Sequence, residues 1–265
     1  MSPPPPVAGV LADHLRRRRD DGAKLLVPYV TAGMQDDWLT VAEAVAASGA
    51  DALEVGLPFS DPMIDGPVIQ AASLRALQRG TTPRRVLADL ALADLGVPIV
   101  VMTYYNLILR MGHRRMASLL AESGVTGAIV PDLPLEEVGP WATAADEAGV
   151  ATVMLVAPST GSERMGRIIE RSRGFVYGIG RMGVTGERAA VAASAALVAG
   201  AAKARTDLPV CVGIGVSTPE QAAEVCRVAD GVIVGSALVR RLLDGAGPDG
   251  AAAFTASLRR GIDGG

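Results

Sequence analysis

A carboxylate in an apolar strand is the clearest candidate for chemistry in this sequence. Glu54 interrupts the apolar run 52–56 near its carboxyl end, where a buried charge without a partner costs several kcal/mol. No lysine or arginine is evident at the neighbouring strand ends, so a structural salt bridge is the less favoured alternative. A carboxyl group in a partly apolar cavity at the end of a strand has a raised pKa and can act as acid and base in turn.

The loop that follows carries two more carboxylates, Asp61 and Asp65. It reads PFSDPMIDGP over residues 58–67, and its prolines and glycine restrict the backbone so that both side chains are held at defined positions. Capping of the next helix is the alternative role for Asp65.

Glycines at two later strand ends predict an anion site. One run ends with Gly213 and Gly215, and the next ends with Gly235 and Ser236 before a helix. Bare backbone amides at these two strand ends are typical of phosphate binding in barrels, which favours a phosphorylated substrate. The alternative is that these glycines only make turns.

Other chemistries find little support in the residue types. The two lysines, Lys24 and Lys203, lie before a strand and late in a helix, which argues against Schiff-base catalysis. The two separated histidines, His14 and His113, do not build a catalytic zinc or iron site, so no metal is expected. The run 178–183 matches G-x-G-x-x-G, but no acidic residue ends the next strand, which argues against a dinucleotide site.

Eight short runs rich in valine, isoleucine and leucine recur, each followed by a stretch with helical spacing. Their near-continuous apolar character indicates strands buried on both faces. We therefore predict the α/β class, as a single-domain (β/α)8 (TIM) barrel over residues 1–265 with an extra N-terminal helix. The proline-rich residues 1–8 are expected to be disordered. The predicted strands cover residues 25–30, 52–55, 97–102, 127–130, 151–156, 175–179, 208–212 and 231–234.

Composition excludes several classes of protein. The 265 residues are 49% hydrophobic and 20% charged, with a net charge of -3, which excludes overall disorder and argues against a nucleic-acid binder. Neither an export signal nor an apolar stretch of membrane-spanning length is evident. With only two cysteines, the chain is expected in a reducing compartment, the cytoplasm.

Several motifs in order along the chain closely resemble the tryptophan synthase alpha chain family. The resemblance extends from about Leu25 to Arg240, and the segment from Glu54 to Pro67 is its most specific part. The motifs are PYVTAG at 28–33, FSDP at 59–62, YYN at 104–106, PDLP at 131–134, GVTG at 183–186 and GIG at 213–215.

The resemblance implies a lyase that cleaves indole-3-glycerol phosphate to indole and glyceraldehyde 3-phosphate in tryptophan biosynthesis. This retro-aldol reaction places a proton on the indole C3 and removes one from a glycerol hydroxyl. By matching position, Glu54 is the general acid and base, and Asp65 accepts from the ring nitrogen.

Further residues match the substrate-binding positions of the family. Gly186, Gly213, Gly235 and Ser236 match the phosphate cradle. Tyr104, Ile129 and Tyr177 match the indole pocket, and Thr185 matches the hydroxyl of the lid that closes on the aspartate.

The resemblance also implies a partner. Family members dock on a beta chain in an αββα complex, and Pro58 and Asp61 match the loop that faces it. Pyridoxal phosphate belongs to that beta chain, so no cofactor is expected here. The sequence departs from the family pattern at Met34–Gln35, where Asp-Pro is usual, and at Gly180, where serine is usual; the glycine predicts a looser hinge for the lid.

Three other functions are alternatives to this one. A free-standing indole-3-glycerol phosphate lyase would use the same site without a beta chain. A catalytically silent subunit that only activates the beta chain is disfavoured by the intact Glu54 and Asp65. A phosphate-binding isomerase barrel would need an aspartate at the ends of strands 1 and 5, where the sequence has none.

Overall fold

The computed structural model describes residues 9–180 and 188–264. Eight parallel strands follow one another around a closed barrel, and β1 completes the ring by pairing with β8. Helices connect the strands and cover the outside, and one more helix precedes β1. The predicted (β/α)8 barrel with an extra N-terminal helix is confirmed.

The strands are β1 Leu25–Thr31, β2 Leu53–Gly56, β3 Ile99–Met102, β4 Val125–Ile129, β5 Ala151–Val156, β6 Val176–Ile179, β7 Val210–Gly213 and β8 Gly231–Val234. The helices are α1 Val10–Asp20, α2 Trp38–Ala47, α3 Pro67–Gln78, α4 Pro83–Ala91, α5 Tyr105–Met111, α6 His113–Glu122, α7 Gly139–Glu147, α8 Ser162–Arg171, α9 Arg188–Lys203, α10 Pro219–Cys226, α11 Ser236–Leu243 and α12 Gly247–Asp263. None of these helices of the described chain is both long and apolar enough to cross a membrane.

Two strands begin later than predicted because prolines precede them. β3 starts at Ile99 and β7 at Val210, each directly after a proline. Proline has no N–H to donate to the ladder, although its carbonyl can still accept. The Pro98 carbonyl accepts from the Leu53 amide at 2.9 Å, and the Pro209 carbonyl accepts from the Val176 amide at 2.9 Å.

The core has two layers. The larger layer lies between the strands and the surrounding helices, and it is built mainly from valine, leucine, isoleucine and alanine. The smaller layer fills the barrel interior with inward-facing residues such as Val27, Val100, Val153 and Ile233. Alternate residues of each strand therefore belong to different layers, as the period of two in a strand requires.

Helix α1 closes the amino-terminal end of the barrel. Its Leu11 and Leu15 are fully buried among the interior residues. Two glycines make room for this helix, since a Cβ at Gly127 or Gly174 would lie 2.7 or 2.6 Å from Leu11 Cδ2. Helix α1 therefore fills the amino-terminal end of the barrel interior with apolar side chains.

Candidate active site

A cavity of about 330 Å³ lies at the carboxyl-terminal ends of the strands. Its wall holds seven of the predicted site residues: Glu54, Asp65, Tyr177, Gly213, Gly215, Gly235 and Ser236. The structure thus brings the two carboxylates and the glycine-rich strand ends into one cavity, although nearly the whole barrel sequence separates Glu54 from Gly235 and Ser236.

Glu54 is held inside the barrel by the register of β2. It lies opposite Tyr29 of β1 and Val100 of β3, and its side chain is only 1% exposed. Its Oε2 has no hydrogen-bond partner, and no salt bridge to it occurs in the described part of the chain. Burial, with a further contribution from the charge of Asp65, raises the pKa of Glu54 to about 8. The structural salt bridge that was the alternative for this residue is therefore not present among the described residues.

Asp65 is fixed by a tyrosine rather than by a helix. The Tyr104 hydroxyl donates to Asp65 Oδ2 at 3.1 Å and accepts from the Ile64 amide at 3.2 Å. Helix α3 begins after Gly66, and no side chain caps it, so the alternative role of Asp65 as a helix cap is wrong. Burial raises the pKa of Asp65, and the Tyr104 hydrogen bond opposes that rise.

Two tyrosines share the cavity with the carboxylates; Tyr29 is buried and Tyr177 is half-buried. Tyr29 and Tyr177 both line it, and burial raises the pKa of each phenol well above its usual value. Both hydroxyls are therefore neutral at physiological pH. The Thr31 hydroxyl donates to the Tyr29 hydroxyl at 3.3 Å.

Another part of the wall is formed by the ends of β7 and β8. Gly215 has a φ of +77°, a conformation that favours glycine, and helix α11 begins at Ser236 directly after Gly235. Exposed amides at a helix N-terminus suit an anion. Gly213 has a second role, because a Cβ there would lie 2.6 Å from the Tyr177 hydroxyl.

Some predicted site residues lie elsewhere. Ile129 is fully buried in the interior layer below the cavity and does not line it. Tyr104 contacts Asp65 but does not line the cavity, and its ring stacks on that of Phe59 with 4.9 Å between the ring centroids. Thr185 and Gly186 lie outside the described residues.

The loop predicted to face a partner divides into a buried and an exposed part. Pro58 is buried in the chain by itself, whereas Asp61 is exposed and accepts from the Ser60 hydroxyl at 2.5 Å. The loop is therefore accessible to a partner from about Ser60 onwards in the conformation described.

Sequence reasoning missed most of the apolar wall, which comprises Tyr29, Ile64, Ile69, Met102, Pro131, Leu155, Ile179, Ile214 and Ile233. Most of these residues occur at or just beyond a strand end. Their signal was available in part, since inward-facing positions alternate along each strand from the position of Glu54. Nothing in their residue types distinguishes them from core.

The fold and the cavity define a (β/α)8-barrel protein with a ligand site at the carboxyl-terminal end of the strands, where barrel enzymes carry their chemistry. Comparison with known proteins identifies its family. The family model described as tryptophan synthase alpha chain matches residues 15–257. The chain belongs to the tryptophan synthase alpha chain family.

Relatives from several organisms agree with this assignment. Tryptophan synthase alpha chains of Streptomyces coelicolor and Thermobifida fusca are both 45% identical over 263 residues, which is 96% of this chain and 97% of each relative. A structure of tryptophan synthase from M. tuberculosis, in an open form with BRD0059 bound, has a TM-score of 0.88 at 38% identity, covering 96% of this chain and 99% of that one. An alpha chain structure from Legionella pneumophila has a TM-score of 0.87 at 32% identity, covering 96% and 97%.

The activity is that of the family. The chain is a carbon–carbon lyase of tryptophan biosynthesis that cleaves indole-3-glycerol phosphate to indole and glyceraldehyde 3-phosphate, as the alpha subunit of tryptophan synthase. These comparisons favour neither a free-standing lyase nor a silent subunit.

Proposed function

We propose that Glu54 is the general acid and base of this cleavage and that Asp65 binds the indole ring nitrogen. Protonated Glu54 donates to indole C3, the bond from C3 to the glycerol carbon breaks, and its electron pair stays with the ring. The glycerol hydroxyl becomes a carbonyl as its proton passes to the Glu54 carboxylate. One carboxyl group thus completes the proton balance of the reaction.

The single observation that supports this role is the burial of Glu54 in the cavity without a cation partner among the described residues. A pKa of about 8 leaves the carboxyl group largely protonated at neutral pH, and proton transfer is most efficient when the pKa lies near the working pH. Asp65, whose Oδ2 is held by Tyr104, retains acceptor capacity for an indole N–H.

We place the substrate phosphate against Gly213, Gly215, Gly235 and Ser236. These residues line the same cavity from strands other than that of Glu54, and the amides at the start of α11 suit a phosphate. Thr185 and Gly186 are proposed to complete the cradle and the lid, on the strength of the motif alone.

A tryptophan synthase beta chain is the partner we propose, in an αββα complex with pyridoxal phosphate on the beta chain and none here. The exposed part of the loop around Asp61 would face it. The complex is expected in the cytoplasm, where the free thiols of Cys211 and Cys226 stay reduced.

The assignment of Glu54 is tested with Glu54→Gln. Indole formation from indole-3-glycerol phosphate should fall by at least about 10²-fold, as for loss of one general acid–base group, while binding of glycerol 3-phosphate persists. Glu43→Gln, a change at an exposed glutamate of α2, is the control and should be silent. Wild-type turnover in Glu54→Gln would refute the role.

A further inference from the structure

Helix α5 is preceded by a residue whose side chain does not cap it. Its N-cap position is Tyr104, whose side chain makes no capping hydrogen bond. The first amides of a helix need acceptors. For α5 the acceptor comes from the loop after β4, where the exposed Asp132 receives the Tyr105 amide at 2.9 Å on Oδ1 and 3.2 Å on Oδ2.

The capped amide is adjacent in the chain to a residue that contacts Asp65 of the proposed site. Tyr104 directly precedes the capped amide, and its hydroxyl holds both Asp65 and the Ile64 amide. Its ring also stacks on Phe59. The orientation of Asp65 therefore depends on the backbone at the start of α5.

The side chain of Tyr105 secures the same backbone from the other side. Its hydroxyl lies 2.9 Å from His113 Nε2, and the two rings stack at 5.8 Å between centroids. Tyr105 is thus held at its amide by Asp132 and at its side chain by His113.

We propose that Asp132 is a positioning residue of the cleavage reaction: it caps α5 from the neighbouring loop, thereby holds Tyr104, and through Tyr104 holds Asp65 in the orientation that receives the indole nitrogen. The inference rests on the proposed function of Asp65. Asp132 itself does not line the cavity and touches no reacting atom.

The test uses the full-length chain without a beta chain, so that any contact of Asp132 with a partner plays no part. Asp132→Ala should lower kcat for indole formation by about 10-fold with a smaller change in KM, because misplacement of about 1 Å can cost up to 10²-fold. Asp132→Asn should retain most of the activity, since its Oδ1 can still accept the Tyr105 amide.

Two comparisons separate positioning from general stabilisation. Thr82→Ala removes the cap of α4, where Thr82 Oγ1 accepts the Arg85 amide at 3.3 Å, and it should leave kcat unchanged. In a double-mutant cycle, Asp132→Ala should add little to the loss caused by Tyr104→Phe, because both act through one hydrogen bond to Asp65.

The inference is overturned if Asp132→Ala affects kcat no more than Thr82→Ala does, or if its effect multiplies fully with that of Tyr104→Phe. If Asp132→Ala does not fold, Asp132→Gln, whose longer side chain displaces the acceptor, takes its place in the cycle. Failure of the proposed function would be recognised separately, by an inactive wild type or an active Glu54→Gln.

Discussion

Glu54 is placed where its ionised form opposes folding. The ordinary pKa of a glutamate side chain is 4.5, and that of Glu54 in the folded chain is about 8. Between these pH values the folded chain binds the Glu54 proton more tightly than the unfolded chain does, so unfolding releases a proton. The contribution of Glu54 to stability therefore decreases as pH rises through this window, by up to about 1.4 kcal/mol per pH unit.

Removal of this charge should change how stability depends on pH. As pH rises from about 5 to about 8, the free energy of unfolding of Glu54→Gln should increase relative to that of the wild type. The reason is that glutamine does not ionise, so only the wild type loses stability through this group. Urea unfolding at both pH values measures the difference. A gap between the two proteins that stays constant over this range would show that Glu54 does not titrate as the structure indicates.

The sequence predicted the two cavity carboxylates better than the residues around them. Glu54 was evident because a carboxylate in an apolar strand is anomalous, and Asp65 because prolines and a glycine restrict its loop. The hydrogen bond from Tyr104 to Asp65 could not be predicted, since it joins residues 39 positions apart in the sequence. Ile129 was placed in the pocket by resemblance, yet its depth in the barrel depends on the stagger of the strands, which no residue type reveals.

The packing of neighbouring strands controls the shape of the cavity. Tyr29 of β1 leans over the end of β2, where a Cβ on Gly56 would lie 1.9 Å from its hydroxyl. The tyrosine ring is rigid and buried, so it cannot move aside without disturbing Thr31 and the cavity wall. Gly56 is required here for close approach rather than for its backbone freedom.

Gly56→Ala should therefore destabilise the chain by about 1–3 kcal/mol, the usual cost of overpacking, and lower the rate of indole formation. Gly166→Ala is the matched control: this glycine lies inside α8, where an added Cβ would meet nothing within 4 Å, so alanine should stabilise by about 0.5–1 kcal/mol. Chemical unfolding and the indole assay measure both. Equal behaviour of the two variants would contradict the close packing of Tyr29 on Gly56.

Eight strand patterns and their order were sufficient to predict the barrel, because buried parallel strands alternating with helices allow few architectures. How the barrel is closed was less accessible. Helix α1 was predicted as an addition, but its role as a plug depends on Leu11 reaching Gly127 and Gly174. Such contacts between distant glycines and a leucine leave no local pattern in the sequence.

The carboxylates at the two ends of the barrel differ in how they are paired. At the amino-terminal end the buried Asp51 accepts from the Leu26 amide and pairs with Arg18 and Arg259. The carboxylate of Asp230 pairs with Lys203 at 2.6 Å at the same end. Carboxylates are thus satisfied where they support the fold, whereas Glu54 at the other end is left without a cation among the described residues.

The carboxyl-terminal end also presents an unusual surface. Met63 lies in the loop between Asp61 and Asp65 and is 89% exposed. An exposed methionine beside the candidate active site suits a protein interface, because its flexible side chain packs on varied surfaces. Its position in the loop that matches the partner-facing segment of the family makes it the candidate contact for a beta chain.

Met63→Ser should reduce the activation of indole formation by an added tryptophan synthase beta chain, while the chain alone keeps its basal rate, since Met63 does not line the cavity. Leu92→Ser is the control: this leucine is also 89% exposed but follows α4, outside the partner-facing loop. Both variants lose similar apolar surface, so only a difference in activation identifies the docking face. If both variants are activated to the same extent as the wild type, Met63 is not part of that face.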